Sequence, residues 1–288
     1  MPSLRDIRRR IRSIQNTGKV TKAMELIAAS KLRRTQAAVL ATRPYSEKIR
    51  EVIGHLAAQP LEDDEDGIQP LLERRAVNNI GILHITPDRG LCGGLHSNLN
   101  GRVGQFILEQ QAPVKLICVG RKGRDFMVRH GRDVRAIFLN MGDRPTMADT
   151  IAISHMAIDD YTSGEVDEVY VSYPEYVSVM SQRPTIKKLL PIEAAELPPP
   201  QRVGYIYEPT SPTVLGALLP RFVEMQLYHA LLEMIACEQS ARMVAMRTAS
   251  DSAGEMVSDL TLMLNKVRQE SITNELLDLA TGAAAQAR

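Results

Sequence analysis

The two ends of this chain carry apolar rows too long to be folded inside a compact globule of 288 residues. Ser3-Leu4-Arg5-Asp6 has the spacing of a capping box, in which a hydroxyl and a carboxylate satisfy amides left free at a helix start, so a helix is predicted from Leu4. Leu4, Ile7, Ile11 and Ile14 then follow at steps of three and four, with Arg5, Arg8, Arg9 and Arg12 on the other side. The row resumes at Val20, Met24 and Ile27, loosens through Leu32 and Val39, and returns at Ile49, Val52, Ile53 and Leu56. Helical throughout, Leu4 to Leu56 spans about 80 Å, with Pro44 as the candidate bend.

The C-terminal row opens at Ser211-Pro212, an N-cap followed by a proline where a missing amide does no harm. It runs through Leu215, Leu219, Phe222, Leu231, Ile235, Met246, Leu260, Leu264 and Val267 to Leu276, and Gly282 supplies a stop. Unbroken, Pro212 to Thr281 extends about 105 Å. A kink is expected at Pro220, and Gly254 weakens the middle by about 1 kcal/mol. Neither helix is stable without burying its apolar stripe, so the two should pair. The N-terminal row approximates the 3.5-residue repeat of a left-handed coiled coil. The intervening chain must return to the same end, which makes the pair antiparallel, and the longer C-terminal helix should leave one tip unpaired.

Residues 59–74, with Pro60, the acidic run from Glu62 to Asp66, Gly67 and Pro70, read as a linker. Beyond it, strand-like runs at 79–86, 114–119, 134–139 and 166–173 alternate with helical runs at 95–110, 121–130 and 146–161. That alternation predicts an α/β domain with a mainly parallel sheet, and 183–190 adds an edge strand. The expected organisation is an N-terminal coiled-coil helix at 1–58, the linker at 59–74, the α/β domain at 75–200, and a C-terminal segment and helix at 201–288.

Several kinds of chemistry find no support. Cys92, Cys118 and Cys237 are far apart and odd in number, which suits neither a disulfide scaffold nor a zinc site and fits a reducing compartment. The six histidines show no metal-ligand spacing. The turn Asp88-Arg89-Gly90-Leu91-Cys92-Gly93-Gly94 follows a strand and precedes a helix, which invites a phosphate-cradle reading. Neither GxGxxG nor GxxxxGK[ST] is present, however, so the glycines read as structural. A nucleophilic Cys92 has no His or acid placed by the sequence to support it. No eighteen-residue apolar run exists and the start is charged rather than signal-like, so a soluble, unprocessed chain is expected. The first fifty residues carry 13 Lys/Arg against 3 Asp/Glu, although the whole chain is near neutral at +1. That basic segment should meet something acidic. Two other classes remain open on these residues: a nucleotide-dependent enzyme using the α/β domain, and a coiled-coil nucleic-acid binder, which the scarcity of aromatics for base stacking disfavours.

Three ordered motifs carry a resemblance that covers essentially the whole chain. Ile14-Gln15-Asn16-Thr17 with Lys19-Val20-Thr21-Lys22-Ala23-Met24 and Ala28-Ala29-Ser30-Lys31 resembles the start of the gamma-subunit family of F-type ATP synthases. The Asp88–Leu95 turn is similar to that family's signature turn. Ala241-Arg242-Met243-Val244-Ala245-Met246 and Arg268-Gln269-Glu270-Ser271-Ile272-Thr273-Asn274-Glu275-Leu276, before Gly282-Ala283-Ala284-Ala285, match its end. The resemblance implies an antiparallel coiled coil of the terminal helices beside a Rossmann-like α/β domain, acting as a central rotor shaft without catalytic residues or cofactor of its own. Its implied partners are the alpha and beta subunits, the epsilon subunit and the c-ring, with no nucleic acid, and membrane association is indirect. It puts Met24, Arg242, Gln269, Thr273 and Glu275 against the alpha/beta ring, with Lys19 and Lys22 adding positive charge, and Tyr205, Tyr207 and Glu208 at the foot that meets the c-ring and epsilon. Gly18 departs from the pattern, since many relatives carry a longer polar side chain there, and the regulatory cysteine pair of chloroplast forms is missing. The implied location is the cytoplasmic face of a bacterial inner membrane.

Overall fold

A computed structural model describes residues 3–57, 70–192 and 210–286, so Tyr205, Tyr207, Glu208 and most of the acidic linker lie outside the described residues. Two helices dominate it, α1 (Leu4–Ala57) and α5 (Ser211–Gln286). Between them come β1 (Ile80–Ile85), α2 (Leu95–Glu109), β2 (Val114–Val119), α3 (Arg121–Arg129), β3 (Val134–Phe138), α4 (Met147–Thr162), β4 (Glu168–Tyr176) and β5 (Gln182–Leu190). Both long helices carry on through their internal prolines, Pro44 and Pro220, where a bend and a kink were expected. Nor does Gly282 end α5, which runs on to Gln286. The chain divides into two compact units: residues 29–241, and residues 1–28 with 242–288.

In the larger unit, the strands form one sheet in the order β3-β2-β1-β4-β5. β1 pairs in parallel with β2 and β4, and β2 with β3, while β5 closes the edge antiparallel to β4. Side chains alternate across the pleat, so each strand feeds two cores. Ile80 and Ile82 of β1, with Leu116 and Cys118 of β2, pack against Leu99, Val103 and Ile107 of α2 and Met127 of α3. Leu83, Ile85, Ile117 and Val119 face the other way, onto Ile153 and Ala157 of α4, Ile49 and Ile53 of α1, and the run Leu215 to Ile235 of α5. With both faces covered, all six residues of β1 are buried, which is why that strand reads as a continuous apolar run. Part of the segment read as a linker is tied down: Pro70–Leu72 forms a 3-10 turn whose Leu71 is buried in the core, and Glu73 accepts a hydrogen bond from the Tyr161 hydroxyl.

One polar side chain sits inside this apolar strand. His84 is fully buried, with Nδ1 2.8 Å from Ser172 Oγ and Nε2 2.9 Å from Asn100 Oδ1. The Asn100 amide nitrogen donates to Lys122 O, which fixes its oxygen towards His84 and makes Nε2 the donor. Burial pushes the imidazole down from 6.5 to about 4, against the opposing effect of the Asn100 bond. The unfolded chain therefore takes up a proton between these values that the folded chain refuses, and stability falls as the pH drops through that window, by about 3 kcal/mol when complete. Urea unfolding of the native chain and of His84→Gln at pH 7 and pH 4 checks this. The stability advantage of histidine over glutamine should shrink on acidification, and an advantage that stays constant would remove the burial argument.

The smaller unit is an antiparallel helix pair. The capping box forms as read, with the Asp6 amide 3.2 Å from Ser3 Oγ and the Ser3 hydroxyl donating to Asp6 Oδ2 at 2.7 Å. Ile7 shares a groove with Leu260 and Met263, whereas Gly18, further along α1, meets Ala253, earlier in α5. That order fixes the direction. A Cβ on residue 18 would lie 3.3 Å from the Ala253 Cβ, so the glycine allows a close approach of the two backbones. Ile7, Thr21, Ala28, Met246 and Ala253 are the buried residues of this seam. Small residues and a threonine at that level keep the helices near one another.

Candidate partner-binding surface

On α1, Lys19 and Lys22 are exposed and Met24 is half-buried. Lys22 pairs with Glu25 at 2.9 Å, an i,i+3 contact in solvent that contributes little by itself. Large apolar side chains stand among these cations: Val20, Leu26 and Ile27 are each more than half exposed. Exposed apolar groups beside two lysines make this stretch a candidate contact surface. On α5, Arg242 is half-buried in the same unit.

The other candidates stand elsewhere. Gln269, Thr273 and Glu275 are exposed on α5. Thr273 donates back to Gln269 O at 2.9 Å, and Ser271 donates to Glu275 Oε1 at 3.2 Å. Gln269 follows Arg242 along the helix by about 40 Å at the rise of an α-helix. Since α1 begins at Leu4 and Ile7 already faces Leu260 and Met263, no described residue of α1 lies opposite this last part of α5. Ile272, Leu276, Leu277 and Leu279 are accordingly exposed, Leu279 by 71%. The candidates thus form two groups, one on the paired helices and one on the unpaired tip. The four apolar residues of the tip were passed over or read as packing. The signal that finds them is the excess length of the C-terminal row over the N-terminal one.

The turn after β1 is built from the inside. Leu91 and Gly93 adopt left-handed φ values of 62° and 58°, and Leu91 is 62% exposed. A crevice of about 510 Å³ opens nearby at the carboxyl ends of β1 and β2, lined by Thr86, Asp88, Arg89, Gly120, Asn140 and Glu238. In nucleotide-binding α/β folds that place serves phosphates through free amides at a helix start. Here the four amides entering α3 are already engaged. Gly120 N–H donates to Phe138 O, Arg121 N–H to Asp88 Oδ1, Lys122 N–H to Pro87 O and Gly123 N–H to Thr86 Oγ1. The second oxygen of Asp88 accepts from Asn140 N–H at 2.9 Å. Internal partners, among them the Asp88 carboxylate, thus take the amides that a phosphate would need.

Two arrangements that look nucleophilic are closed to substrate. Cys92 has His96 Nδ1 at 3.8 Å from its sulfur, a neighbour that the i,i+4 spacing signals and the sequence reading passed over. The thiol is nevertheless fully buried against Leu95 and Cys237, and burial together with the Lys122 charge lowers the His96 pKa. Ser172, His84 and Asn100 stand in the order of a hydrolase triad, yet all three are buried inside the sheet. Their geometry serves packing.

Comparison with known proteins covers the same ground from outside. The sequence profile described as ATP synthase matches residues 3–286. The ATP synthase gamma chain of Dehalococcoides mccartyi (strain CBDB1) is 58% identical over 287 residues, covering 100% of both chains. That of Roseiflexus castenholzii (strain DSM 13941 / HLO8) is 48% identical over 293 residues, covering 100% of this chain and 99% of the relative. Among solved structures, a chain of the Euglena gracilis mitochondrial ATP synthase rotor superposes with a TM-score of 0.65 at 21% identity, covering 93% of this chain and 98% of its own length. A chain from the central stalk and c-ring of the Tetrahymena thermophila mitochondrial ATP synthase gives 0.62 at 23% identity, covering 80% and 99%. At those identities the structural likeness establishes the fold.

Proposed function

This chain belongs to the gamma-chain family of ATP synthases, and from that premise we infer that it is the central rotor stalk of an F-type complex, carrying torque between the membrane c-ring and the catalytic alpha/beta ring so that ion translocation is coupled to ATP synthesis. One observation carries the reading physically: an antiparallel helix pair whose longer member continues alone with its apolar side chains uncovered. Two packed helices resist bending and twisting better than one. Their cross-section, two axes about 8–10 Å apart, has no circular symmetry, so a ring of repeated subunits around it meets a different face at each position. The catalytic chemistry belongs to the ring, and this chain sets its phase.

The exposed Lys19, Lys22 and half-buried Met24, with Arg242, suit one contact with the alpha/beta ring, in which mobile cations guide an acidic partner without locking it. The bare tip with Gln269, Thr273 and Glu275 suits a second contact, where an apolar lining of the ring would cover Ile272 and Leu276. Tyr205, Tyr207 and Glu208 belong by resemblance to the foot that meets the c-ring and the epsilon subunit. The domain scheme that accompanies this reading is a shaft made of 1–58 and 201–288, an α/β domain at 75–200 and an acidic connection at 59–74. No helix among the described residues is long and apolar enough to cross a membrane. The chain is a peripheral subunit that reaches the membrane through its complex, and its bacterial relatives favour the cytoplasmic face of the plasma membrane.

The test is reconstitution with alpha, beta and epsilon subunits on vesicles that carry the c-ring and the rest of the membrane sector, followed by ATP hydrolysis and ATP-driven ion pumping with the native chain, Arg242→Ala and Gln269→Ala. Pumping per ATP should drop several-fold in the variants while thermal unfolding of the free chain moves by less than about 1 kcal/mol. Loss of helicity in the free chain that parallels the loss of coupling would return those residues to a structural role. Failure of the native chain to join the ring would end the rotor reading.

A further inference from the structure

A carboxylate is buried where the β4–β5 hairpin meets α5. Glu233 of α5 has one side-chain oxygen, Oε2, enclosed by protein without a hydrogen-bond partner. Its other oxygen lies 3.7 Å from His229 Nδ1, one turn earlier on the same helix. Native structures rarely leave such an atom unpaired, because an ionised carboxylate with an unmet acceptor inside protein is strongly disfavoured relative to its protonated form.

The groups around it explain why the charge is not balanced. Across the junction, Lys187 of β5 is the nearby cation, but it is shared: its ammonium donates to the Tyr173 hydroxyl at 3.0 Å and lies 3.6 Å from Glu175 Oε1. Glu175 of β4 is held ionised by the Arg183 guanidinium, which donates to it at 2.6 Å and keeps its carboxyl below the usual range. A second negative charge on Glu233 therefore meets one partly committed lysine, the His229 ring on its own helix, the Tyr176 amide and one fixed carboxylate. Cys237, one turn further on, is a neutral thiol whose pKa is raised by burial, and its Sγ donates to Pro174 O of β4 at 3.2 Å. Those contacts place Glu233 in the seam that ties the hairpin to the helix.

We propose that Glu233 makes this seam a proton-operated clasp, tight when the carboxyl carries a proton and loosened when it ionises. Protonation turns the orphaned oxygen into a neutral group and removes the repulsion from Glu175. Burial raises the Glu233 carboxyl from 4.5 to about 7, with Lys187 opposing the shift, Glu175 adding to it, and the Tyr176 amide opposing it. The folded value exceeds the unfolded one, so the stabilisation is complete at acid pH and is lost as the pH rises through about 7.

Hydrogen exchange of the 288-residue chain in its assembled complex tests this by mass spectrometry, at several pH values corrected for intrinsic rate, with Glu233→Gln as the neutral isostere. Peptides covering β4, β5 and the 229–240 stretch of α5 should lose about tenfold in protection between pH 6 and pH 8 in the native chain, as linkage to one such group requires. The variant should show no such loss, while peptides from α2 behave alike in both. A second reading needs no variant: the Glu233 side-chain carboxyl signal in a selectively 13C-labelled native chain should titrate near neutrality. A midpoint below pH 5, or equal pH dependence in the native chain and the variant, would overturn the clasp.

Discussion

A Gly120→Ala chain is expected to lose about 4 kcal/mol or more of stability, enough to leave the α/β domain largely unfolded if the whole is as marginal as most proteins. Gly120 joins β2 to α3 with φ 100°, a region that L side chains rarely adopt, and a Cβ there would fall 1.9 Å from the carbonyl oxygen of Thr86. That oxygen belongs to the main chain leaving β1, so no side chain can swing aside to relieve the collision. Gly131 is the control, because its φ is 64° and nothing lies within 4 Å of its Cβ position. Alanine at that position meets torsional strain alone, about 1–2 kcal/mol. Urea unfolding of the two variants beside the native chain separates strain from collision. Equal losses would show that the strand-to-helix junction can relax, and the account of why α3 begins where it does would fail.

Introducing a charge into the core of the larger unit should be nearly as damaging. Ile53 is wholly buried in the core that joins α1 to α5, α4 and the sheet. Ile53→Asp is expected to cost about 3–5 kcal/mol, and Ile53→Val about 1 kcal/mol, since the first buries an unpartnered carboxylate and the second removes only a methylene. The penalty should also grow with pH, because an aspartate in such a place resists ionisation and its folded pKa lies above the unfolded one. Denaturant melts at pH 5 and pH 8 measure both effects. A loss below about 1 kcal/mol, or no pH dependence, would mean that this end of α1 is not clamped to the sheet by its apolar contacts.

Much of this architecture was legible in periodicity. The switch from three-and-four spacing at the ends to short apolar runs in the middle located the five strands and five α-helices of the described residues to within about five residues, because both faces of the sheet are covered and each long helix hides one stripe, and it missed the short 3-10 helix at Pro70–Leu72. Punctuation was read less well. Gly282 was given weight as a stop, yet α5 runs on to Gln286, and Pro44 and Pro220, read as sites of a bend and a kink, lie within helices that continue on both sides of them. Gly18, read only as a departure from the family pattern, is the place where two backbones approach, which the neighbouring Ala253 reveals. Asp88 could not be assigned from the sequence either. Its role depends on the amides of Arg121 and Asn140, residues distant in the chain and brought together by the parallel crossovers. For the candidate interaction residues, composition and spacing showed only that cations and apolar groups recur on helical faces. Their division into two groups, on the pair and on the tip, needed the offset between the helices.

The uncovered end of α5 also bears on how a cell can make this chain. Ile272, Leu276, Leu277 and Leu279 leave an uncovered apolar end on the free chain, and such a surface invites self-association, chaperone capture and proteolysis. A partner that covered these four side chains would remove that hazard.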